Sequence, residues 1–233
     1  MAPRSAAPAA GAHEGRPSRL GESRWPPALA LLTFLALNIG LRIWLPSGAP
    51  IRVPWLLPTV EVLLLVVLVV GDPARLGPSA RWVRPVLVGL VCALVLSALW
   101  ATGLLVNDLI EGTGVSNSPE ELLASGGLVW LGNNLSFGLL YWLLDSGGPV
   151  ARSGQKTPVD FAFVQHLNPD LAPPGWKPVF LDYLHLGFTN GTAFSPTDTM
   201  PLTHTAKYTM VVQSTAALAL FGLIVARAVN AFT

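Results

Sequence analysis

The residues with the greatest chemical capacity crowd between Pro178 and Pro201. There Asp182, His185, Asn190, Thr192, Ser195, Thr197 and Asp198 are set among apolar side chains. Carboxylate, hydroxyl and amide oxygens at this density suit the holding or passage of a small cation, because they replace the oxygens of its hydration shell. A helix from Pro178 to about Asn190, with proline in its first turn, fits the opening half. Asp182 and His185, three residues apart, would then share a face. Gly191, Pro196 and Pro201 break the second half, which is expected to return as irregular backbone. Thr192, Ala193, Phe194, Ser195, Pro196, Thr197 and Asp198 are the ion-path candidates on that return, supported by Asp182, His185 and Asn190.

Other polar groups interrupt the apolar runs. An ionisable group inside a bilayer costs roughly 2.5–3.5 kcal/mol on insertion scales and therefore faces protein or water. Glu61, about one and a half turns into its run, reads equally as a structural partner and as a proton or ion site. Asn38, Asn133 and Asn134 read as hydrogen-bond partners between helices, while Arg42 is close enough to Trp44 to snorkel. No His-Glu-x-x-His or paired-cysteine spacing occurs, so a metal site would have to be assembled from Asp182, His185, Asp198 and His204. No cofactor is expected. The single cysteine, Cys92, lies in an apolar run and excludes an intrachain disulfide.

The elements that must position these groups are apolar helices. Of 233 residues, 52% are hydrophobic and 12% charged, about half the roughly 25% charge of soluble domains. A net charge of +1 gives no field to recruit nucleic acid, and nothing reads as the catalytic centre of a soluble enzyme. Runs from Pro27 to Trp44, Trp55 to Val70, Val83 to Val106, Leu128 to Leu144 and Thr205 to Val229 approach or meet the roughly 17–25 residues that cross a hydrocarbon core. Trp25, Trp44, Trp55, Trp82 and Trp142 stand at their ends, as in interfacial belts. Thr215, Ala219, Gly222 and Ala226 form a small-residue stripe expected to pack closely.

Basic flanks set an expected orientation. Arg4, Arg16, Arg19 and Arg24 precede the first run, Arg75, Arg81 and Arg84 precede the third, and Arg152 and Lys156 follow the fourth. The segment from Asn107 to Gly127 holds four acids and no Lys or Arg. A cytoplasmic N-terminus follows. The organisation expected is a disordered cytoplasmic tail over 1–24, a three-helix membrane region with an acidic loop over 25–127, and a helix, hairpin and final helix over 128–233.

Two resemblances accompany these readings. Tyr141-Trp142-Leu143-Leu144-Asp145-Ser146-Gly147-Gly148-Pro149, the stretch from Asp182 through Phe188-Thr189-Asn190 to Ala193-Phe194-Ser195-Pro196-Thr197-Asp198-Thr199-Met200-Pro201-Leu202, and Ala226-Arg227-Ala228-Val229-Asn230 resemble a family of bacterial multi-pass membrane proteins that brings no established activity. The order of spanning helix, polar loop, half-helix, irregular return, Asp, Pro and spanning helix is similar to the pore module of potassium channels. On its Phe-Thr-Thr-x-Thr-Thr-Val-Gly-Tyr-Gly-Asp pattern, Phe188, Thr189, Thr192 and Asp198 match. Ser195-Pro196-Thr197 replaces Gly-Tyr-Gly, and Pro196 fixes φ where glycines would permit a carbonyl ladder, so potassium selectivity is not implied.

Together these readings imply an all-α, polytopic protein of the bacterial cytoplasmic membrane, with five transmembrane helices and a re-entrant hairpin over about residues 178–201. A sixth crossing is the structural alternative. The expected function is channel-like or transport-related, with the lipid bilayer, a homo-oligomer and a small cation as partners and no nucleic acid. A structural or accessory subunit and a membrane metal-binding protein are the alternatives from other classes.

Overall fold

The computed structural model describes residues 22–23, 25–44, 55–70, 83–111, 119–154, 158–193 and 198–231, and these are mostly helical. Four helices come first: α1 (Trp25–Trp44), α2 (Leu56–Val70), α3 (Val83–Glu111) and α4 (Pro119–Leu144). A 3-10 turn at Asp145–Gly147 leads to α5 (Pro149–Gly154), β1 (Phe161–Phe163) and α6 (Val164–Leu167). The chain ends with α7 (Phe180–Ala193), β2 (Thr199–Pro201) and α8 (His204–Ala231). β1 and β2 pair antiparallel, Phe161 opposite Pro201 and Phe163 opposite Thr199.

Local chemistry sets several of these boundaries. Glu120 and Glu121 occupy the first turn of α4, where carboxylates complement the helix dipole. The turn after α4 uses left-handed backbone at Ser146 (φ 54°), Gly147 (φ 76°) and Gly148 (φ 95°), and Pro149 then opens α5. Asp182 Oδ2 accepts the Val179 N–H at 2.7 Å ahead of α7. Thr203 Oγ1 accepts the Ala206 N–H at 3.2 Å and caps α8.

Contacts along α4 fix the direction of its neighbours. Glu22, just before α1, meets Trp142 near the α4 C-terminus, while Ala36 and Gly40 share an apolar groove with Ala124 and Gly127 near its N-terminus. α1 therefore runs antiparallel to α4. Gly126 of α4 abuts Ile224, and Gln213 reaches Asn134 and Tyr141, so α8 is antiparallel to α4 as well. The end of the bundle holding Trp25, Leu144, Phe180 and His204 is called the entry end below.

Large apolar side chains line the outside of the helices, and several polar groups are buried within an otherwise apolar core. Leu29, Leu32, Leu63, Val66, Leu96, Trp100, Val211 and Leu218 are exposed, whereas Asn38, Glu61, Thr102, Asn133, Asn134 and Gln213 are buried. Arg84–Glu111 and His204–Ala226 are long and apolar enough to cross a membrane by length and composition, and Trp25–Gly40 and Leu57–Val70 are shorter apolar helices. α4 packs against α1, α3, α7 and α8. Enclosed in this way, it has little need of an apolar outer surface.

Three expectations are revised, and one stripe faces away from the rest of the chain. Most of the segment read as an acidic loop is helical, because α3 runs to Glu111 and α4 begins at Pro119. α7 continues through Gly191 to Ala193, since one glycine costs a helix only about 1 kcal/mol. Trp142 is buried beneath α7 rather than placed in a belt. Thr215, Ala219, Gly222 and Ala226 face outward, and nothing lies within 4 Å of a Cβ built on Gly222.

Candidate functional site

α7 enters the bundle at one end and the chain is back at that same end a few residues later. Phe180 opens α7 with its ring 5.9 Å from that of Trp142. Deeper in, the Phe188 ring lies 5.3 Å from Trp130, whose Nε1 donates to the Gly191 carbonyl at 3.3 Å. Fourteen residues make a helix of about 21 Å at 1.5 Å per residue, roughly half the length of α4. By Asp198 the chain is beside β1, where its carbonyl accepts the Val164 N–H at 3.2 Å.

Glycines let α7 lie directly against the α4 backbone. A Cβ on Gly187 would sit 2.8 Å from the Asn134 carbonyl oxygen, and one on Gly138 would sit 3.2 Å from Leu184 Cα. Such close approach increases dispersion contact and is how helices associate where water supplies no hydrophobic drive.

Two buried polar clusters hold α7. The deeper one joins α4, α7 and α8 through Gln213. Its Oε1 accepts from Tyr141 Oη at 2.7 Å and from Asn190 Nδ2 at 2.8 Å. Its Nε2 donates to the Gly187 carbonyl at 2.7 Å and to Asn134 Oδ1 at 3.2 Å. Asn190 Nδ2 also donates to the Met210 carbonyl at 3.0 Å, and Asn134 Nδ2 to that of Trp130 at 2.9 Å. Donors and acceptors close on one another, as buried amides require.

The second cluster sits at the entry end and is charged. Asp145 Oδ1 accepts the backbone N–H groups of Asp160 (2.7 Å) and Phe161 (3.2 Å), and Oδ2 accepts the Tyr183 hydroxyl. Arg152 Nη1 donates to the carbonyls of Trp142 (3.0 Å) and Asp145 (2.9 Å) and lies 3.9 Å from Asp145 Oδ2. Its guanidinium also stands 4.9 Å over the Tyr183 ring. Asp160 ties the 3-10 turn to the start of α8, accepting Ser146 N–H at 3.0 Å and Thr203 Oγ1 at 2.8 Å. Glu22 accepts from Trp142 Nε1, Arg152 Nη2 and Phe180 N–H. Burial pushes the Glu22 carboxyl above its ordinary value of 4.5, although those donors and the Arg152 charge pull it down.

The expected site residues divide among these environments. Asn190 and Asn134 belong to the deep network, apart from the surface of α7. Glu61 accepts from Asn38 Nδ2 at 3.0 Å between α2 and α1, and Asn133 Nδ2 donates to Thr102 Oγ1 at 2.7 Å between α4 and α3. Asp182 caps its own helix. His185 Nδ1 and Asp198 Oδ2 form an exposed pair at 3.3 Å, and Thr192 Oγ1 donates to the Phe188 carbonyl at 2.7 Å. The Ala193 side chain and all of Phe194, Ser195, Pro196 and Thr197 lie outside the described residues. Among the described residues, no three His, Cys, Asp or Glu side chains converge as a metal ligand set.

Sequence reasoning did not single out Gln213, Tyr183, Glu22 or Asp160, and it read Arg152 only as a basic flank. Gln213 had a usable signal, being the lone amide in the middle of an apolar run. Asp145, Tyr141 and Tyr183 stood within the stretches quoted for the resemblance, without an assigned role. Compared with protein families, curated proteins and solved structures, the chain matches none.

Proposed function

We propose that the chain is a polytopic membrane protein with five crossings, α1, α2, α3, α4 and α8, and that α7 is a re-entrant half-helix serving a channel-like or transport-related role. The observation that carries this reading is the path of α7, which reaches about half-way along α4 and gives way to a chain that returns to its starting end. The exposed apolar surface supports the bilayer setting: leucines and valines on the outside suit lipid, and amides and Glu61 turned inward suit a solvent that cannot hydrate them. Among the described residues, the entry end carries Arg84, Arg152, Lys177 and Lys207, and the far end carries Arg42 and Arg227 together with Asp108, Glu111, Glu120 and Glu121. By the bias of basic residues toward the cytoplasm, the hairpin enters from the cytoplasmic side.

Any ion path runs over the outer face of the hairpin, because the deep network around Gln213 is closed upon itself. That face carries Thr192 and the His185–Asp198 pair, whose carboxylate raises the local concentration of cations. Flux from purified protein in liposomes tests this, with a no-protein control. Asp198→Asn is expected to lower cation flux while the protein stays folded in detergent; unchanged flux in a folded variant contradicts the site. The closed network also favours a second reading, an accessory subunit in which α7 only locks α4 to α8. Loss of folding in Asp198→Asn, with no flux from the native protein, favours that reading.

A further inference from the structure

We infer that Glu22 is an exchangeable ligand seated in a preformed carboxylate slot at the entry to α7, and that a carboxylate-bearing ligand competes with it there. Three elements supply the donors. Trp142 Nε1 of α4 reaches Glu22 Oε2 at 2.7 Å, Arg152 Nη2 of α5 reaches the same oxygen at 3.5 Å, and the Phe180 N–H that opens α7 meets Oε1. Two oxygens of one planar group, each with its own donors beside a guanidinium, are what a carboxylate presents.

None of these donors depends on Glu22 for its position. Arg152 is held through Nη1 by two backbone carbonyls and lies against the Tyr183 ring, and its side chain is only 8% exposed. Trp142 packs edge-on to Phe180. The Phe180 N–H belongs to the first residue of a helix, which has no acceptor within that helix. Without Glu22 the slot keeps its shape and its positive charge, and its donors lose their acceptor.

Glu22 itself comes from outside the bundle, 120 residues from Trp142 and 158 from Phe180 in sequence. Any carboxylate in the slot meets the same desolvation and the same donors as Glu22, so a free one in excess competes for them by mass action. Asp145, on the other side of Arg152, is the further charge near the slot, and the neutral Tyr183 hydroxyl donates to it. The identity of the bound carboxylate therefore sets whether the segment before α1 is clamped to the entry of α7 or released from it. The slot has this chemistry whether or not the bundle spans a bilayer.

Formate is the probe, with chloride at equal ionic strength as control, on full-length protein in detergent. Glu22→Ala is expected to unfold at a lower temperature than wild type and to regain part of that loss with formate, saturably, and not with chloride. Glu22→Gln still fills the slot and should show a smaller formate response than Glu22→Ala. In a Cys92→Ser background carrying a nitroxide on a cysteine at the exposed position Ser23, the label's mobility should rise with formate and level off as the slot fills. An identical response to formate and chloride in Glu22→Ala overturns the inference. Should that variant fail to fold, a label at position 23 whose mobility is indifferent to formate overturns it instead.

Discussion

The two clusters that anchor α7 differ in kind as well as in depth. Around Gln213, between α4, α7 and α8, every member is neutral: three amides, a phenol and backbone carbonyls. At the entry end the members are Asp145, Arg152, Glu22 and Asp160, bound largely through backbone N–H and C=O groups. A neutral network in a poorly hydrated interior needs only matched donors and acceptors. Charges add a desolvation cost of several kcal/mol each and are sustained where many fixed dipoles surround them. Depth along α7 thus sorts the chemistry that holds it, with ions at the mouth and amides within.

Breaking the charged cluster should have the largest effect. Asp145→Ala removes the acceptor of two backbone N–H groups and of the Tyr183 hydroxyl and leaves Arg152 buried beside no carboxylate of its own turn. A loss of about 3–5 kcal/mol is expected, read from unfolding in detergent. Asp145→Asn keeps an acceptor and should lose less. Equal stability of wild type and Asp145→Ala would remove the entry cluster as an anchor.

The deep contact ranks next. Gly187→Ala drives a Cβ toward the Asn134 carbonyl, and backbone cannot yield as a side-chain tip can, so about 1–3 kcal/mol should be lost. Gly103→Ala is the control, because nothing lies within 4 Å of its Cβ, and helix propensity makes it neutral or stabilising. Equal effects at the two positions would mean that α7 does not lie on α4 as described. Gln213→Leu should cost about 1–2 kcal/mol, less than the charged cluster, because hydrogen bonds between helices in membranes are individually modest. A cost above that of Asp145→Ala would reverse the ordering of the two clusters.

The smallest effect concerns pH. The folded pKa of Glu22 is raised, so the docked state binds a proton more tightly than the free segment. Its contribution to stability therefore rises as pH falls from neutral through the raised pKa toward 4.5, and is lowest above that window. Glu22→Gln should flatten this part of the stability profile. A variant profile parallel to wild type would assign the pH dependence to other groups.

The apolar runs were legible in the sequence, because spans of leucine and valine at helical length admit few other readings, but not the extension of α3 to Glu111 or of α4 back to Pro119. The short helix α7 was legible too, since Pro178 marks its start, although Gly191 does not end it. Asn38 with Glu61 and Asn133 with Thr102 bridge helices, as expected of amides inside apolar runs. What sequence could not supply was the pairing of distant residues. Glu22 lies in a segment whose composition reads as a tail, yet its carboxyl meets Trp142 and Phe180, and periodicity carries no information about such a contact. Trp142 was misplaced for the same reason, because an aromatic at a helix end reads as interfacial until another helix covers it. The small-residue stripe on α8 faces away from the other helices of the chain, an orientation that its spacing does not reveal.

The central claim is that α7 enters and leaves by one side while α8 alone completes the last crossing. In a Cys92→Ser background, single cysteines at Ser23, Ser118, Ser153 and Thr233 can be tested with an impermeant thiol reagent on intact cells. Positions 118 and 233 should be labelled and positions 23 and 153 protected, which places the C-terminus on the side of the α3–α4 connection. Protection at 233 with labelling at 118 would make α7 a sixth crossing and contradict the account.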